Sequence, residues 1–151
     1  MRFVSPSRAR SKAAELVSGR VAIINKDHGI KRYFGKPWDW AEIKRHHCIA
    51  HPGMIHHRSC YERIGLYNET YKIAGDYDFS LRLGGSTCAK FIDKAIVCMG
   101  DNGLSHRRIS KTLREVLLIQ MRNKEIGRKQ AIANFLISNM IIYSKKILGK
   151  M

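Results

Sequence analysis

The clearest hydrophobic rhythm lies towards the C-terminus. From Lys111 onward, Leu113, Leu117, Gln120/Met121 and Lys124 trace one helical face, with Val116 and Leu118 beside it. A second helix is expected over about Arg128–Leu148. Upstream the pattern shortens. Ser5–Val17 fits a short helix, with a serine at its start, alanines and Leu16 inside and Gly19 after it. "VAIINKDHGIKRYF" predicts two strands, Val21–Asn25 and Ile30–Phe34, around an Asp27-His28-Gly29 turn. "GKPWDW" reads as loop and Met54–Arg58 as a short strand. "SCYERIG" places Ser59 and Glu62 at capping-box spacing, with Gly65 as the stop. After the loop "LYNETYKIAG", Asp76 opens a helix to about Leu83, closed by Gly84-Gly85. Ala89–Gly100 alternates as one strand or a kinked one. No repeat or low-complexity tract appears.

Charge changes the picture more than length does. The 151 residues suit one domain, or part of one, but 28 Lys+Arg against 12 Asp+Glu give a net charge of +16. Such an excess draws a protein to polyanions, whether nucleic acid, anionic headgroups or phosphorylated substrates. Residues 105–151 hold 11 Lys/Arg and 2 Asp/Glu, so the excess is concentrated there. Cys48, Cys60, Cys88 and Cys98 show neither C-x-x-C pairing nor compact disulfide spacing, and Met1–Gly19 lacks the apolar core of a signal peptide. Reduced thiols in a cytoplasmic protein are expected. No run of about 18 apolar residues marks a membrane span.

Four stretches offer chemistry. Asp76 and Asp78, two apart on a helix, point in different directions, so they cannot clamp one metal ion together, and one of them at most faces a cleft. An aspartate there is either a helix cap or a functional acid. "HHCIAHPGMIHH" gathers His46, His47, Cys48, His51, His56 and His57. Pro52-Gly53 breaks any helix pairing His47 with His51, and adjacent His56 and His57 face opposite sides of a strand, so a surface loop is favoured over structural zinc. "CMGDNGLSHRR" is a turn before a basic helix start, or a phosphate or metal contact. The last helix, flanked by Arg128-Lys129 and Lys145-Lys146, either lies on an anionic membrane or packs on protein.

"HPGMIHHRSCYERIGLYNETYKIAGDYDFSLRL" (His51–Leu83) followed by "FIDKAIVCMGDNGLS" (Phe91–Ser105) resembles the second half of a family-2 glycosyltransferase. The likeness spans roughly residues 19–106. It implies an α/β fold, a partial GT-A domain lacking its N-terminal nucleotide-binding strands, over residues 1–106, with a basic amphipathic helical extension over 107–151. It implies transfer of a sugar from a nucleotide-sugar donor to a saccharide or lipid-linked acceptor, usually with inversion, in cell-surface polysaccharide or glycolipid synthesis. Asp76 matches the family's general base, and Asp78 matches its second acidic position, which the resemblance implies binds substrate. His51 matches a position near the acceptor cleft, and His106 resembles a histidine that joins the metal in some relatives. Family members use Mg²⁺ or Mn²⁺ on a D-x-D motif, which would fall just before Met1, so a truncated chain inactive by itself is expected. Two departures stand out: Asp101–Ser105 replaces a Gly-Gly-x-Ser turn, and Gly19-Arg20 replaces Gly-Asp. The resemblance points to a cytoplasmic enzyme, peripheral at the inner face of the plasma membrane, with no nucleic-acid partner. The alternative is a small basic module that binds nucleic acid or a membrane surface without catalysis.

Overall fold

The structure, a computed structural model, describes residues 13–46, 48–100 and 108–148, with only the backbone at Lys146. Strand β1 (Leu16–Ile24) is its axis. β2 (Ile30–Phe34) pairs antiparallel with Val21–Ile24, and β3 (Met54–His56) pairs antiparallel with Leu16–Ser18. β4 (Ala89–Gly100) runs parallel to the whole of β1. A strand has two edges, so β2 and β3 share one of them end to end and β4 takes the other. The architecture is mixed α/β: a small mixed sheet with helices packed on it.

The notch left between β3 and β2 falls at Gly19–Arg20, and two glycines enter it. A Cβ on Gly53 would lie 2.8 Å from the Gly19 carbonyl oxygen, and one on Gly35 would lie 3.0 Å from it. The 3-10 turn His51–Gly53 is seated against β1 by this close approach. On the other edge β4 carries extra residues: Gly19 pairs with Ile92, Arg20 with Ala95 and Val21 with Val97. The expected kink is therefore a pair of register shifts, which strengthen local twist. The Ile96 side chain fills the space above Gly19, and Arg20 forms an ion pair with Asp93.

Several boundaries differ from expectation. Ala13 and Ala14 are not helical and Leu16 and Val17 lie in β1, which corrects the end of the Ser5–Val17 helix; residues 5–12 lie outside the described residues. Pairing to β3 and β4 at once, with Leu16 fully buried, outweighs the helix preference of the alanines. α1 (Trp40–Ile43) shortens the expected loop, because the Asp39 carboxylate accepts the Glu42 N–H at 3.0 Å. α2 (Arg58–Ile64) begins a residue before Ser59. Its cap is His57, extended as it leaves β3, whose ring Nδ1 accepts from the Ser59 N–H. Glu62 pairs instead with Arg58 at 2.9 Å. Gly65, at φ 78°, ends the helix as expected.

α3 (Gly75–Leu83), α4 (Ile109–Arg122) and α5 (Arg128–Ile147) complete the order. The helical pair is part of the main core: Ile119, Ile126 and Ala131 pack with Ile43, Ala74, Tyr77 and Leu81. A polar network runs through the same contact. The Gln120 amide nitrogen donates to the Tyr77 hydroxyl (2.8 Å) and to the carbonyls of Lys44 and Arg45, its oxygen accepts from Asn134, and Tyr77 donates to the Ile43 carbonyl. These bonds satisfy the carbonyls at the end of α1, which would otherwise be buried without partners.

Candidate functional site

Asp76 sits in the first turn of α3, one residue inside a helix that begins at Gly75, so it is not the N-cap residue. That position belongs to Ala74, which has no capping side chain. The Asp76 carboxylate accepts its neighbour's N–H, from Tyr77, at 2.8 Å, and its carbonyl accepts the Ser80 hydroxyl at 2.9 Å. Tyr77 and Phe79 turn inward and are fully buried, which leaves Asp76 half-buried at the edge of the core.

Asp78 is committed elsewhere. Its carboxylate holds Arg82 at 2.9 Å, and the same guanidinium donates to the carbonyls of Ile64 (2.6 Å) and Leu66 (2.8 Å). The pair thus ties α3 to the end of α2. The geometry separates the two aspartates, as their spacing predicted.

Glu115, on α4, holds the segment that leads into α3. Its carboxylate accepts three successive backbone N–H groups, from Lys72 (3.2 Å), Ile73 (2.8 Å) and Ala74 (2.9 Å). Burial is the largest single influence and pushes its pKa up. The three N–H groups, with Lys111 nearby, together outweigh it and hold the pKa below the ordinary glutamate value. The approach to Asp76 is thereby fixed from a distant helix. Sequence reading did not select Glu115; the available signal was its rarity, as one of two acids in residues 105–151. The other, Glu125, accepts the Trp40 indole N–H at 2.9 Å.

His51 stands over a group of rings. It meets Tyr67 edge-on at 5.8 Å and His56 at 6.1 Å; Tyr67 stacks on Phe79 at 4.5 Å, and His56 meets Phe79 at 5.0 Å. Burial first, and then His51, lower the His56 pKa below the ordinary histidine value. Its Nε2 is buried with no hydrogen-bond partner among the described residues. Burial, then Tyr61, then the charge of Asp76 raise the Tyr67 pKa. Tyr67 is thus the element that feels both His51, by contact, and Asp76, by charge.

The rest of the histidine cluster is dispersed. His46 lies 3.6 Å from Glu42, His57 caps α2, and His47 is outside the described residues. Burial raises the thiol pKa of Cys48, to about 11, and that of Cys60, whose Sγ donates to the Glu15 carbonyl at 3.3 Å. Such thiols are poor nucleophiles. His106 and the Asp101–Ser105 turn also lie outside the described residues. Among those described, no three His, Cys, Asp or Glu side chains come together to hold a metal ion.

No family model matches the chain, and neither does any curated protein. Among the described residues no helix is long and apolar enough to cross a membrane.

Proposed function

We propose that this chain is the acceptor-side part of an inverting glycosyltransferase of the GT-A type, with Asp76 as its general base. The observation that carries the reading is the division of labour between the two aspartates. Asp78 is bound to Arg82, whereas Asp76 is half-buried in the first turn of α3, its charge helps to raise the Tyr67 pKa, and the segment leading to it is held by Glu115. In this reading an acceptor hydroxyl attacks the anomeric carbon of a nucleotide sugar, Asp76 takes its proton, and the nucleoside diphosphate leaves. The transition state has oxocarbenium character, as in glycoside hydrolysis. His51, at the edge of the rings, orients the saccharide or lipid-linked acceptor.

The nucleotide and its cation belong, in this reading, to a donor-side half.

With a donor-binding half joined in one chain, Asp76→Asn should lower kcat by about 10²–10⁴, the usual contribution of a positioned base, with an unchanged melting temperature. Asp78→Asn should lower the melting temperature and largely spare kcat. Transfer by the Asp76→Asn protein at the undiminished rate would refute the assignment.

A further inference from the structure

The C-terminal helix presents an unexplained surface. One side of α5 is committed inward through Ala131, Asn134 and Phe135. Its other side is apolar and open over almost the full length: Ile132, Leu136, Ile137, Met140, Tyr143 and Ile147 are all exposed, Met140 at 72% and Ile147 at 70%. Apolar residues thus occupy the outward face of α5 as well as its inward one. At 1.5 Å per residue the helix is about 30 Å long, so this is a continuous stripe and not scattered leucines. Beside it, between α4 and α5, lies a groove of about 380 Å³ lined by Ile109, Leu113, Ile142 and two residues of the stripe, Met140 and Tyr143.

Charge selects the occupant. After Glu125 the chain has no acidic residue, and the stripe is bracketed by Arg128 and Lys129 at one end and Lys145 at the other. A second copy laid along α5 would bring together two molecules each carrying +16, with Arg128 and Lys129 at the contact. An anionic bilayer surface neutralises Arg128 and Lys129 and covers the apolar stripe in one contact. We propose that the outer face of α5 docks the protein flat on an anionic membrane, the stripe sunk to the level of the upper acyl chains and Arg128 and Lys129 at the phosphates. This inference does not depend on the transfer reading.

The full chain should sediment with vesicles of phosphatidylglycerol and phosphatidylcholine at least tenfold more strongly than with phosphatidylcholine alone, and added salt should weaken the binding. The double variant Leu136→Asp/Met140→Asp changes two exposed positions, so its circular dichroism should match the wild type while vesicle binding falls at least tenfold. Tyr33→Ser, an exposed apolar position on β2, should leave binding unchanged, and so should Asp76→Asn. The proposal is overturned by absent vesicle binding, by equal binding to neutral vesicles, or by a double variant that still binds. Two further results would also overturn it: a wild-type dimer in lipid-free light scattering that the double variant dissociates, or tighter binding to a DNA duplex than to the anionic vesicles.

Discussion

Glu115 shows how much one buried charge can organise. Its carboxylate accepts three successive backbone N–H groups of the segment leading into α3, and each such bond to an ion has a net value of about 1.5–3 kcal/mol. Glu115→Gln keeps one acceptor oxygen but turns an amide NH₂ towards N–H donors, so a loss of about 2 kcal/mol is expected near pH 7. The sign of the pH dependence follows from the depressed folded pKa. The stabilisation is complete above the unfolded value, 4.5, and is lost as pH falls through the folded one. Urea unfolding near pH 7 and at about pH 3 should show the wild type's advantage over the variant shrinking in acid. A constant gap would mean that the carboxylate's charge is not what matters. Asp76 and Asp78 were legible as residues in the sequence, and so was their divergence, since helix spacing alone dictates it. Glu115 was not, because its partners lie some 40 positions away.

Elements meet here through what certain positions lack. Gly53 and Gly19 both occupy tight places, but the obstacles differ. A Cβ at Gly53 would strike the backbone oxygen of Gly19 at 2.8 Å, and a β1 carbonyl cannot move without disturbing the sheet. A Cβ at Gly19 would strike the Ile96 side chain, at 2.7 Å, which is partly exposed and can rotate away. Gly53→Ala should therefore cost about 1–3 kcal/mol, the usual range for overpacking, and Gly19→Ala clearly less. Thermal denaturation of the two proteins measures the order, and a reversed order would contradict the notch geometry. Because Gly53 closes the turn that carries His51, its substitution should also disturb the His51–Tyr67 contact. Caps were the least legible feature at this scale. Asp39 and Glu42 have the same spacing as Ser59 and Glu62, and there only the Asp39 carboxylate caps, while Glu42 pairs with Lys36.

For the whole molecule, the C-terminal pair is structural before it is anything else. Ile119, Ile126 and Ala131 complete the main core, and Gln120 satisfies the end of α1. A chain ending at Arg108 would expose Ile43, Ala74 and Tyr77 and leave those carbonyls unpaired. It should show no near-ultraviolet dichroism from a fixed aromatic environment and no cooperative unfolding transition. A cooperatively folding fragment would mean that the helices are an appendage. The same pair presents the open stripe of α5, so one face of the hairpin completes the core while the other looks outward.

What the sequence determined by itself was local: the β1–β2 hairpin around Asp27–Gly29, the Gly65 stop, the α3 start near Asp76 and the existence of two C-terminal helices. Each follows from periodicity, turn chemistry or glycine's access to positive φ, which act over a few neighbouring residues. Only the tertiary structure decided that Leu16 and Val17 are strand, that Asp78 belongs to Arg82, that Glu115 holds the approach to Asp76, and that α5 faces outward with an apolar stripe. Those outcomes depend on pairing and burial between distant segments, where the free energy of bringing two surfaces together exceeds the small intrinsic preferences of either one.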